Sequence, residues 1–149
     1  MTKPPPISQS LRAWMDVFMH RSMRNWQNFA KSVGLSMAQF SILMQLHHKG
    51  PCGVSEIGER FDITSAAASQ LVEKLVQSGY IERAEDPSDR RAKVLKLTPS
   101  GQELIERGGQ ERHRWLDEVV KNLSSEEKDK VNEALEILTS AAKRIENRE

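Results

Sequence analysis

The side chains best placed for chemistry in this 149-residue sequence are small hydroxyls, an amide and a run of cations. Ser65, Ala66, Ser69, Gln70, Glu73 and Lys74 recur at the three- and four-residue steps that gather side chains on one helical face. Such groups suit the edges of bases in a DNA groove. Gln70 can bond bidentately to adenine N6 and N7, Ser65 and Ser69 can reach a base edge or a phosphate, and the methyls of Ala66 and Ala67 can meet thymine methyls. Taken alone, an ordinary solvated helix face accounts for these residues equally well. The next segment breaks the tie, because Arg90, Arg91, Lys93 and Lys96 concentrate cations a short distance downstream, with Asp89 able to hold an arginine in place. Arginine fits the narrow minor groove of A·T-rich DNA by charge and shape. A polar helix face and a basic loop, in this order and at this distance, are far rarer by chance than either alone.

These residues need a scaffold, and the sequence supplies one that is mainly α-helical with a small β-hairpin. Leu11, Trp14, Met15, Phe18, Trp26, Phe29 and Val33 lie at helical spacing and predict a long first helix over about residues 8–32, stopped by Gly34. Ser36 and Gln39 form a capping box, with Leu35 and Phe40 as its hydrophobic staple, for a second helix reaching about His48. Ser55 can cap a short helix through Phe61, Asp62-Ile63-Thr64 makes a tight turn, and Thr64 can cap a helix that reaches Gln77 before Ser78-Gly79. Two helices so closely linked imply a helix-turn-helix. Its expected packing residues are Ile57, Phe61 and Ile63, with Ala68, Leu71 and Leu75 on the second helix and Gly58 permitting close approach. Asp62 stands at the turn position where such motifs often carry glycine, and aspartate tolerates a left-handed backbone.

Tyr80–Ala84 and Lys93–Leu97 favour strand, and the polar run Asp86–Arg91 between them is a hairpin loop, a wing beside the helix-turn-helix. Thr98 then caps a helix with Pro99 at its first position. Leu104, Ile105, Trp115, Leu116, Val119 and Val120 carry its apolar stripe to Leu123; Ser124 and Glu127 form a second capping box, and Val131, Ala134, Leu135, Leu138, Ala142 and Ile145 stripe the last helix.

Composition removes several alternatives. The single cysteine, Cys52, leaves no intramolecular disulfide and no Cys-x-x-Cys site, which suits a reducing, cytoplasmic protein. The polar N-terminus with Pro4, Pro5 and Pro6 lacks the apolar stretch of a signal peptide or membrane anchor. Net charge is only +1, so arrangement matters more than total: residues 102–149 hold nine basic and twelve acidic side chains, while residues 1–34 hold Lys3, Arg12, Arg21, Arg24 and Lys31 against Asp16. No motif assigns a nucleophile, a general acid or a phosphate-cradling glycine loop, so no catalytic residue and no cofactor is expected.

The stretch from Asp86-Pro87-Ser88-Asp89-Arg90-Arg91 to Leu97-Thr98-Pro99-Ser100-Gly101 resembles the wing signature of the MarR (multiple antibiotic resistance regulator) family, and Leu71–Arg83 is similar to that family's recognition helix entering the wing. The resemblance is dense over residues 54–101 and implies a transcriptional regulator, a repressor released by a small-molecule effector. By match it implies wing roles for Asp89 and Arg91, with Arg90 on phosphate; relatives often carry arginine where this chain has Gln70, which bears on the operator sequence. It also implies a homodimer on a pseudo-palindromic double-stranded operator. The expected organisation is a tail and dimerisation helix over 1–34, a winged helix-turn-helix DNA-binding domain over 35–100, and C-terminal dimerisation helices over 101–149.

Other residues have plainer accounts. Trp14, Phe18, Trp26, Met44 and Trp115 can line a pocket for an aromatic effector, though such stripes more often form dimer core. Cys52 is expected as a buried structural thiol, and His20, His47, His48 and His113 as spare or surface histidines, so no metal site is expected. The alternatives are a winged-helix module that binds protein, or a metal- or redox-responsive regulator.

Overall fold

The structure, a computed structural model, describes residues 5–89 and 92–146. Six helices and one hairpin follow in order: α1 (Ile7–Ser32), α2 (Met37–Lys49), α3 (Val54–Phe61), α4 (Ser65–Gln77), β1 (Ile81–Glu85), β2 (Lys93–Leu97), α5 (Pro99–Lys121) and α6 (Ser125–Glu146). The chain divides into two compact units, Met1–His113 and Arg114–Glu149, with the boundary inside α5.

Local chemistry sets most of these bounds. Past α1, Gly34 takes a positive φ of 75° and lets the Leu35 N–H turn back to the Ala30 carbonyl at 2.9 Å. The Ser36–Gln39 capping box forms as expected: Ser36 Oγ accepts from the Gln39 N–H at 3.2 Å, and Gln39 Oε1 accepts from the Ser36 N–H at 2.9 Å. The second box, Ser124 with Glu127, closes the same way before α6. The expected cap at Ser55 is corrected. Helix α3 begins earlier, with Gly53 as N-cap, because Glu56 reaches back to accept from the Gly53 N–H at 3.0 Å.

In the first unit, one core joins α1 through the start of α5. Phe29, Phe40, Ile42, Leu43, Leu46, Ile57, Leu75, Ile81, Leu95, Leu104 and Ile105 are all buried in it. Phe29 and Trp26 each meet the Phe40 ring edge-on, with centroids 6.0 and 5.5 Å apart. Gly108 is required there, since a Cβ on it would lie 2.6 Å from the Phe40 ring. Asn25 Nδ2 donates to the Glu111 carbonyl at 3.2 Å and ties α1 to α5. On α4, the inward residues are Ala68, Val72 and Leu75, each fully buried. Leu71, expected inside, sits half-buried at the edge, one helical position off the centre of the core stripe.

The second unit holds the end of α5 and all of α6. None of the residues of α6 is buried, and Val131, Leu135, Ile137, Leu138 and Ile145 on it are exposed.

Candidate nucleic-acid interface

The turn before α4 is built around one strained residue. Asp62 adopts the left-handed conformation, φ 52° and ψ 46°, so the turn forms with aspartate in the glycine position as expected. The Ile63 N–H then bonds to the Gly58 carbonyl at 3.0 Å, and a Cβ on Gly58 would lie 3.1 Å from the Ile63 oxygen. Thr64 Oγ1 accepts from the Ala67 N–H at 3.2 Å and starts α4. With Ala68, Val72 and Leu75 turned inward, Ser65, Ala66, Ser69, Gln70, Glu73 and Lys74 are all exposed on the outward side.

The hairpin pairs Ile81 with Leu97, Glu82 with Lys96, Arg83 with Leu95, Ala84 with Val94 and Glu85 with Lys93. Its base is fixed three ways. Thr98 Oγ1 donates to the Gly79 carbonyl at 2.6 Å and accepts from the Gly101 N–H at 3.1 Å, and the Thr98 N–H reaches the Tyr80 carbonyl at 3.1 Å. Gly101 has no room for a side chain, because a Cβ would fall 2.1 Å from the Tyr80 oxygen. Cys52 adds an isolated bridge to β2: its carbonyl accepts from the Leu95 N–H at 2.8 Å.

At the loop, Asp86 accepts from the Ser88 hydroxyl at 2.6 Å and the Ser88 N–H at 2.8 Å, which holds its carboxyl below the usual range. Asp89 is exposed, and its carbonyl accepts from the Ala92 N–H at 2.9 Å. Arg90 and Arg91 lie outside the described residues, and so does the expected grip of Asp89 on an arginine. Lys93 is exposed and pairs with Glu85 at 3.4 Å. Lys96 is half-buried.

One contact at this surface was not foreseeable from spacing. Arg83 on β1 reaches Glu73 on α4 at 3.1 Å and joins the hairpin to the helix. Ten residues and a change of secondary structure separate the two, so only the packing of hairpin on helix reveals the pair.

Of the residues expected to line an effector pocket, Trp26 and Met44 come together. Trp26 and Met44 share a groove of about 370 Å³ with Met23, Met37 and Phe61, beside the exposed His48 and Lys49. Trp14 and Phe18 are not among its lining residues, since they lie turns earlier on α1, and Phe18 stacks on His113 with centroids 6.0 Å apart. Trp115 belongs to the second unit. The Trp26 ring carries the Arg112 guanidinium at 4.5 Å.

Cys52 is buried as expected, and burial pushes its thiol up from the ordinary value, with the Glu56 carboxylate adding to the rise. His47 Nδ1 lies 3.1 Å from Gln102 Oε1. Among the described residues, no three His, Cys, Asp or Glu side chains gather as a metal site, and no helix is long and apolar enough to cross a membrane.

A helix-turn-helix whose second helix presents an open polar face, followed by a hairpin anchored beside it, defines a winged helix-turn-helix protein. Residues 35–93 match the sequence profile of the MarR family. The chain is 33% identical over 107 residues to the HTH-type transcriptional regulator YfiV of Bacillus subtilis, covering 72% of this chain and 67% of YfiV. It is 30% identical over 115 residues to the HTH-type transcriptional regulator MhqR of the same organism, covering 77% of this chain and 79% of MhqR. The chain belongs to the MarR family. For another B. subtilis regulator, YdgJ, the chain covers 61% of that protein's length. The transcriptional regulator Tm0710 of Thermotoga maritima shares the fold with a TM-score of 0.77 at 27% identity, over 93% of this chain and 95% of that one. A point mutant of Staphylococcus aureus MepR, solved bound to an oligodeoxyribonucleotide, shares it with a TM-score of 0.70 at 22% identity, over 89% and 97%.

Proposed function

We propose that the chain is a homodimeric transcriptional regulator of the cytoplasm that binds a pseudo-palindromic double-stranded operator and acts as a repressor released by a small aromatic effector. The observation that carries this is the exposed face of α4, small and amide-bearing, with the hairpin anchored beside it through Thr98. Gln70 reads a base edge, Ser65, Ser69 and Lys74 contact the groove wall and phosphates, and Ala66 packs on a thymine methyl. Arg90 and Arg91, with Lys93 and the orienting Asp89, are assigned to the wing contact on sequence grounds. A relative in fold, the MepR mutant, binds an oligodeoxyribonucleotide, which supports DNA as the partner.

The exposed apolar residues of α6 and of the first half of α1, Trp14 and Met15 among them, are assigned to the dimer contact. The effector site is reduced to the groove at Trp26 and Met44. The chain is assigned binding and no catalysis, metal or cofactor. Fluorescence anisotropy with genomic fragments, repeated across a salt series, tests the assignment: affinity should fall steeply with salt and exceed that for random DNA. Salt-independent binding, or none, would remove it.

A further inference from the structure

The outward face of α4 carries one acid, Glu73, among its hydroxyls and amides. Ala66, Ser69, Gln70 and Glu73 follow the three- and four-residue helical steps, so Glu73 shares the stripe assigned to DNA. A bare carboxylate there would repel the DNA backbone. Glu73 is not bare: Arg83 Nη2 lies 3.1 Å from Glu73 Oε2, and Gln77 Nε2 is 3.5 Å from Glu73 Oε1. Arg83 comes from the hairpin, which sets other acids beside cations. Glu85 pairs with Lys93 at 3.4 Å, and Glu82 stands in register opposite Lys96.

We infer that Arg83 is a positioning and charge-masking residue for DNA binding, which cancels Glu73 on the recognition face and is itself not a phosphate contact. The inference rests on the DNA-binding assignment above. Both partners are about half exposed, at 47% and 48%, so the pair adds little to folding stability. Its effect falls on the approach of a polyanion, where an unmasked negative charge acts over the distance of a screening length. The arrangement also lets a helix carry glutamate on its binding face, which can reject a wrong operator, without weakening attraction to DNA in general.

A double-mutant cycle tests this on the full chain, with Arg83→Gln, Glu73→Gln and the double substitution assayed by anisotropy on random-sequence DNA, where base reading does not enter. Masking predicts that Arg83→Gln weakens binding about fivefold at low salt. Glu73→Gln should bind as tightly as the parent or tighter, and the double variant should recover most of the loss, with melting temperatures unchanged throughout. A double variant that binds as weakly as Arg83→Gln alone would make Arg83 a direct phosphate contact and overturn the inference, as would no loss from Arg83→Gln in the parent background. A parent protein without salt-dependent binding would fail differently, by removing the DNA-binding assignment itself.

Discussion

Two amphipathic helices of this chain show the same apolar period and opposite fates. Helix α4 turns Ala68, Val72 and Leu75 into a core where each is fully buried. Helix α6 carries Val131, Leu135, Leu138 and Ile145 at equivalent steps, and they remain 41%, 49%, 37% and 63% exposed. A hydrophobic period marks a face that must be covered and leaves open what covers it. For α4 the cover is α2, α3 and the hairpin, which close in sequence and meet in one unit. For α6 the cover assigned is a second copy of the chain, because an apolar stripe of this length is otherwise a liability in water.

The largest expected effect lies on the buried side. Leu75→Ala should cost about 2–5 kcal/mol of unfolding free energy, since it leaves a cavity in a packed core. Denaturant melts read it, and a loss near zero would mean that α4 packs more loosely than its burial indicates. On the open side, Leu135→Asp with Leu138→Asp should leave the first unit folded while raising the dimer dissociation constant by a factor corresponding to about 2 kcal/mol or more. Sedimentation across a dilution series checks this; an unchanged dimer would move the interface away from α6.

The first turn of α5 belongs with the buried side, and Gly101 is the place to test that. Its missing side chain lets Tyr80 approach, so Gly101→Ala should destabilise by about 1–3 kcal/mol, because the clash is with backbone and not with a flexible tip. A neutral substitution would mean that the hairpin base yields easily. The smallest effect concerns pH. The folded Cys52 thiol is raised above its ordinary value of 9.0, so the native state holds a proton that the unfolded chain releases. Its contribution is fully present below pH 9.0 and declines as pH rises through the folded value. A Cys52→Ala variant, melted from pH 7 upward, should lose less stability than the parent at the alkaline end. Parallel curves would show that the thiol is not held in its neutral form.

What the sequence makes visible follows the range of the interactions. The capping boxes at Ser36 and Ser124, the Thr98-Pro99 start and the left-handed Asp62 each close within a few residues, and spacing alone identifies them. The α4 face emerges almost whole, because its helical phase is set by Ala68 and Leu75. Errors of one step remain where two apolar residues adjoin: Leu71 and Val72 satisfy the period nearly equally, and only packing selects Val72. Gly53 is chosen over Ser55 because Glu56 caps from inside the helix. The Cys52–Leu95 rung and the Arg83–Glu73 pair depend on contacts between elements distant in sequence.

The central claim is that the α4 face, with the hairpin beside it, reads double-stranded DNA. Gln70→Ala tests it most directly, by anisotropy on a bound genomic fragment and on random DNA at the same salt. The account predicts a loss of about 1–3 kcal/mol on the specific site, little change on random DNA, and an unaltered salt slope. Equal weakening on both, or none on either, would contradict it and show that sequence is not read from this face.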